Sequence, residues 1–201
     1  MKQILSISLF SLSILLASGC TTTVGKHTEY TQDRKETHNY KGGPIGNPNS
    51  NDVEEALNFG QKSQNNHLLE DAYTIIWKSS SFDRSVKIIV ETPIYRIAEH
   101  AQKRAREFRH TDSRYINSIC QQGVITLSAA KDSAINSRIF NQKALLIRDG
   151  IRIEPISRLS LSYSIEEISK PGNYAIVIRD TGKRTSSFKE IKIPISFEDF
   201  R

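Results

Sequence analysis

Cys120, His100 and His110 are the residues whose types could supply a nucleophile and its base, since a thiol attacks well once an imidazole takes its proton. All three fall within "HAQKRAREFRHTDSRYINSIC" at 100–120. Nothing local pairs them. Cys120 instead follows Ile116 and Ile119 at helical spacing, which predicts burial as a small hydrophobe. Glu166-Glu167 offers two carboxylates, but as neighbours on a strand they would point to opposite faces and share no substrate. His27 and His38 stand at no recognisable metal-ligand spacing. The chain contains no Gly-x-Ser-x-Gly elbow and no His-Glu-x-x-His pair. "TGKRTSS" at 181–187 lacks the leading glycine of a phosphate loop and lies between two strands, which suits a basic hairpin tip. No catalytic residue, metal ligand or cofactor is therefore expected.

One stretch concentrates charge. In "YRIAEHAQKRAREFRHTDSR", Arg96, Lys103, Arg104, Arg106 and Arg109 avoid the apolar stripe of a helix and form its outer face. Such a face, over 94–110, would suit an anionic lipid or wall polymer. It equally suits a solvated surface with pairs such as Glu99 to Lys103 at four-residue spacing. Aromatic residues are sparse along it, so the stacking platforms that bind single-stranded nucleic acid are missing and no nucleic-acid partner is expected.

The elements that must hold these residues are legible in the periodicity. Asn51, with Glu54 three residues on, resembles a helix capping box, and Gly60 is expected to end that helix. "AYTIIWK" (72–78) and "VKIIVET" (86–92) read as strands. Thr92-Pro93 then starts a helix, Thr92 as cap and Pro93 at the first position, where no donor is needed. Ile94, Ile97, Ala98, Ala101, Ala105 and Phe108 recur at steps of three and four, predicting one buried stripe. A second helical segment near 112–121 ends at Gly123.

From Val124 onward the pattern alternates. "ALLIR-DG-IRIEPI" predicts a hairpin whose Asp149-Gly150 supplies the positive φ angles of a two-residue turn, with Leu146 opposite Ile153. "RLSLSYSI" places Leu159, Leu161, Tyr163 and Ile165 on one side of a strand. "PGNYAIVIRD" and "KEIKIPISF" complete the set, and Pro194, which cannot donate to a ladder, marks the last as an edge. The expected fold is mainly β (α+β): an immunoglobulin-like β-sandwich of about seven or eight strands with a helical insertion near 93–122.

The amino terminus is of another kind. Lys2 precedes an apolar segment, Ile4 to Leu16, too short for the ~20 residues that span a bilayer. Ala17, Ser18 and Gly19 follow, as in a cleaved export signal. "LASGC" resembles the lipobox of bacterial lipoproteins, with Ala17 where Leu is usual. The resemblance covers residues 1–20 alone. It implies cleavage after Gly19 and lipidation of Cys20, which would anchor the chain to the membrane through several acyl chains. Thr21, not Asp, follows the cysteine, which by the family's sorting habit points to the outer membrane. Cys120 would then be the one remaining thiol, and no intramolecular disulfide is expected.

Residues 1–19 are thus expected as a signal peptide, 20–50 as a polar tether too poor in apolar residues to fold alone, and 51–201 as a single domain. With 37% hydrophobic and 25% charged residues and a formal charge of +6, the chain has the composition of a globular protein. The expectation is a lipid-anchored envelope protein acting as a non-catalytic interaction or assembly module with an unidentified envelope protein partner. The exposed edge near Ile191–Phe197 would be its place for strand addition. Binding of anionic lipid or wall polymer through 94–110 is the alternative, and an envelope hydrolase with a site assembled from distant residues the third.

Overall fold

The computed structural model describes residues 48–64, 67–78, 85–179 and 190–200. The expected signal, Cys20, nearly all of the tether and the 181–187 tip lie outside them. Six helices and eight strands follow in the order α1 (Ser50–Lys62), α2 (Leu68–Ala72), β1 (Thr74–Trp77), β2 (Val86–Glu91), α3 (Pro93–Arg106), α4 (Ser113–Gln122), β3 (Val124–Ala129), α5 (Ser137–Lys143), β4 (Ala144–Arg148), β5 (Ile151–Ile153), β6 (Ser162–Ser164), α6 (Ile165–Ile168), β7 (Tyr174–Arg179) and β8 (Glu190–Ile195), with a closing 3₁₀ turn at Phe197–Phe200. Helix, at about 42%, exceeds strand, at about 30%. The domain is therefore α+β with two four-stranded antiparallel sheets, and "mainly β" gives way because α2, α5 and α6 add to the helices expected.

One sheet has the order β1-β2-β3-β6 and the other β5-β4-β7-β8. In the first, the alternation of "VITLSA" buries Ile125, Leu127 and Ala129. The opposite face carries polar pairs beside the buried Ile89: Ser128 donates to Glu91 at 2.5 Å and the Thr126 and Ser162 hydroxyls lie 2.9 Å apart. In the second sheet Leu146 pairs with Ile153 as its register predicts, across a turn with Asp149 at φ 50° and Gly150 at φ 83°. Leu146, Ile176, Ile178, Ile191 and Ile193 of this sheet share one continuous core with Ile88, Ile125, Leu127 and Tyr163 of the other. β8 is an edge, and Pro194 is opposite Ala175 there.

Thr92 caps α3 by accepting from the Tyr95 N–H at 3.2 Å, and Pro93 opens the helix. Asp112 caps α4, and Gly123 ends it with φ 55°. At α1 the capping box is formed by Asn49 and Asp52, two residues before the expected pair. Gly60 does not stop α1. The helix runs on to Lys62, and Gly60 lets it approach α3 so closely that a Cβ there would meet the Ala98 carbonyl carbon at 2.8 Å and Ala101 Cβ at 2.9 Å.

Two other expectations fail. "RLSLSYSI" forms a strand only at 162–164: Leu161 adopts φ 43°, Leu159 is 89% exposed, and Ser164 caps the short helix α6. Phe108 does not join the α3 stripe, because the helix ends before it; it is 98% exposed.

Candidate functional site

The basic residues of α3 divide by what they touch. Arg96 is half-buried and donates to Gln122 Oε1 at 2.8 Å, joining α3 to α4. Arg104, also half-buried, donates from Nε to the His110 carbonyl at 2.8 Å and braces the α3–α4 turn. Arg106 donates to the Gln64 carbonyl just past α1, and Gln102 donates to the Ser63 carbonyl at 2.7 Å. Lys103 and Arg109 are left as the exposed members least engaged in holding elements together; Arg109 lies 3.8 Å from Glu107 on the same turn. The sequence thus placed all five on the outer side, but Arg96, Arg104 and Arg106 also tie the helices to each other.

Cations near the end of α3 complement the partial negative charge of its carboxy terminus. Beyond it the chain turns through a Schellman motif. The Phe108 N–H donates to the Ala105 carbonyl (3.1 Å) and the Arg109 N–H to the Arg104 carbonyl (2.9 Å). Phe108, at φ 54°, occupies the left-handed position that glycine normally fills. Arg109, His110 and Arg114 follow, all exposed.

The candidate nucleophile is not assembled with a base. Cys120 sits half-buried on α4 against the core, and burial pushes its thiol pKa up, away from the reactive thiolate. His100 is stacked on Tyr115, ring centres 4.3 Å apart, and its Nε2 accepts from the Asp112 N–H at 3.4 Å. Burial, and then the Arg104 charge, hold its pKa below the usual histidine value. His110 is exposed. No hydrogen bond joins Cys120 to either histidine among the described residues.

Glu166 and Glu167 lie on helix α6, not on a strand. Glu167 is engaged by Lys170 and, at 3.1 Å, by Arg148, and these cations hold its carboxyl below the usual range, Lys170 the more strongly. Among the described residues no group of three or more His, Cys, Asp or Glu side chains is placed to hold a metal. No described helix is long and apolar enough to cross a membrane.

β5 and its connection to β6 expose large aliphatics that periodicity did not reveal. Ile151 on the strand is 74% exposed, and Ile156 and Leu159 beyond it are 63% and 89% exposed. Arg152, Glu154 and Arg158 form a charged chain on the same segment, with Glu154 3.0 Å from Arg152 and 3.2 Å from Arg158. An open depression of about 340 Å³ lies beside it, lined by residues including Arg152, Glu154, Ile156 and Glu167. Pro155 was the available signal: a proline there ends β5 at Ile153 and breaks the alternation that otherwise hides Ile156 in a strand.

Compared with known proteins, the chain matches no family model, no curated protein and no solved structure.

Proposed function

We propose that this chain is a lipid-anchored protein of a bacterial cell envelope, held at the outer membrane by acyl groups on Cys20, and that its folded part is a non-catalytic interaction module. The "LASGC" resemblance supports the anchor, and residues 20–50 serve as its leash. On this reading the two sheets form an immunoglobulin-like sandwich decorated by helices.

The observation that carries the reading is the exposure of Ile151 on β5, an outer strand of its sheet, and of Ile156 and Leu159 in the connection that follows it. Exposed large aliphatics interspersed along the chain with Arg152, Glu154 and Arg158 have the composition of a protein-docking surface, which joins apolar and charged residues. The other outer strand of that sheet, β8, turns Glu190, Lys192 and Pro194 outward. Charge and proline of this kind protect an edge from pairing. The partner surface is therefore assigned to the β5–β6 connection in preference to Ile191–Phe197.

The test is co-purification of carboxy-terminally tagged full chain from detergent-solubilised envelopes at low and high salt. A stoichiometric protein that survives high salt, and is lost from the Ile151→Asp and Leu159→Asp variants, is expected. Retention of that protein by both variants would move the interface elsewhere. Cys20→Ser is expected to shift the chain out of the membrane fraction.

A second reading, binding of anionic lipid, is favoured by the exposed Lys103, Arg109 and Arg114 around the α3–α4 turn. Lys103→Glu with Arg109→Glu should abolish it without unfolding the domain, since neither residue is buried.

A further inference from the structure

We propose that the α3–α4 turn is a membrane wedge, with Phe108 entering the interface of an anionic phospholipid bilayer and Lys103, Arg109 and Arg114 seated on its headgroups. This deepens, and rests on, the reading that the chain binds anionic lipid; it adds Phe108, at the tip of the turn, to the basic contact.

Three observations converge on Phe108. It is 98% exposed, more than any other large hydrophobic residue described. It takes the left-handed C′ position of a Schellman motif, where glycine costs least and a side chain is penalised. The motif's hydrogen bonds owe nothing to the ring, because they run between backbone groups alone, from the Phe108 and Arg109 N–H groups to the Ala105 and Arg104 carbonyls. An aromatic side chain held out at such a site is explained by something beyond the fold that buries it.

The surroundings decide what that is. From Lys103 to Arg114 the chain carries Lys103, Arg104, Arg106, Arg109 and Arg114 against Glu107 and Asp112. The helix carboxy terminus accounts for cations up to Arg106. Arg109 and Arg114 lie past its end; Arg109 has Glu107 at 3.8 Å, an exposed pair of the kind that contributes little in water. A ring left exposed at the turn between two helices, with exposed cations at 103, 109 and 114 on either side of it in the chain, matches a surface that is apolar below and anionic above. A bilayer with acidic headgroups has that profile: apolar side chains such as Phe bury at the boundary between headgroups and acyl chains, and each basic residue near the surface strengthens binding about fivefold.

The test uses the full, acylated chain carrying Phe108→Trp. The natural protein has one tryptophan, Trp77, which is buried and so gives a constant background against which an exposed one is read. The chain is reconstituted into vesicles of phosphatidylcholine with or without phosphatidylglycerol. Emission of the tryptophan at 108 should shift to the blue and resist iodide quenching only when phosphatidylglycerol is present. Lys103→Glu with Arg109→Glu in the same background should return it to water.

The parent reading has its own readout, native mass spectrometry of the detergent-solubilised chain, which counts retained phosphatidylglycerol against phosphatidylcholine. Phe108→Ser should lower that retention about tenfold or more, as expected for a lost aromatic burial. Selective retention with a water-exposed tryptophan would overturn the wedge and leave anionic-lipid binding standing. No selectivity together with a water-exposed tryptophan would overturn both. A blue shift equally strong in phosphatidylcholine alone would overturn the guiding role of the cations.

Discussion

The Leu146 backbone N–H donates to Oη of Tyr163 at 3.2 Å, so a side chain from an outer strand of one sheet bonds to an inner strand of the other. Tyr163 is only 1% exposed and Leu146 fully buried. The bond joins the two sheets inside the core, where a phenol without a partner would be costly to bury. It adds a second tie for β6, a strand of only three residues that pairs with β3.

Removing the hydroxyl therefore deletes this bond between the sheets, while Leu146 keeps its places opposite Ile153 and Ile176. Tyr163→Phe is expected to cost about 0.5–1.5 kcal/mol, read as a lower urea midpoint with an unchanged slope. Burial also pushes the Tyr163 pKa up to about 12. Unfolded tyrosine ionises near 10, so above that pH the unfolded chain releases a proton that the folded chain retains. Stability from this source is complete below about pH 10 and declines as pH rises towards 12. The variant should show a shallower alkaline decline; an identical one would mean that Tyr163 is not the group responsible.

Asp149 makes the corresponding argument at acid pH. Its carboxylate accepts from the Asn173 backbone N–H at 2.9 Å and from the Asn173 side chain at 3.0 Å, and these bonds hold its pKa below the usual aspartate range. A depressed carboxyl contributes stability that is present above the unfolded value, about 3.9, and is lost as pH falls through the folded one. Asp149→Asn keeps a residue that tolerates φ 50° before Gly150 but removes the titration. The acid limb of a urea-midpoint titration should become shallower while some slope remains from Glu167 and Asp132, both also depressed. An unaltered limb would refute the assignment.

At Gly60 the expectation from helix propensity and the expectation from packing have opposite signs. Alanine is favoured over glycine within a helix by about 1 kcal/mol. Here, however, the added carbon would press on Ala98 backbone and Ala101 in the facing helix. Gly60→Ala should therefore destabilise the domain, by about 1–3 kcal/mol for overpacking that the backbone must absorb. A stabilised variant in thermal unfolding would show that α1 and α3 separate easily.

What the sequence disclosed and what it hid differ in the range of the interactions. Asp149-Gly150, Thr92-Pro93, Asp112 with Gly123, and the alternation at 124–129 are local signals, each fixed by backbone geometry within a few residues. They located the hairpin, two helices and a strand correctly. Gly60 misled because a glycine that stops a helix and one that admits a neighbouring helix look alike until the neighbour is present. Leu159 misled because alternation continues through a segment whose backbone, at Leu161, leaves the extended region. The short α5 and α6 were missed, although Asn136 and Ser164 cap them, since so few residues carry no period. The basic side chains of α3 were found, but their division between Gln122, His110, Gln64 and solvent depends on α1 and α4, distant in sequence or across a turn.

Phe108 allows the last expectation to be tested on stability alone. Left-handed backbone costs a non-glycine residue about 1–2 kcal/mol, and this ring recovers none of it by packing. Phe108→Gly removes that strain. The gain is offset in part by the greater freedom of glycine in the unfolded chain, worth about 0.4–1 kcal/mol. A net stabilisation of about 0.5–1 kcal/mol is expected, a rise in Tm of about 1–4 °C for a domain of this size. Phe108→Ala keeps the strained Cβ and should leave Tm nearly unchanged, which separates backbone relief from loss of the ring. Such a pair of results, with the glycine variant more stable yet weaker on phosphatidylglycerol, is what a residue retained for binding at the expense of folding predicts. Equal destabilisation of both variants would instead mean that the ring packs on the domain, and the wedge would lose its basis.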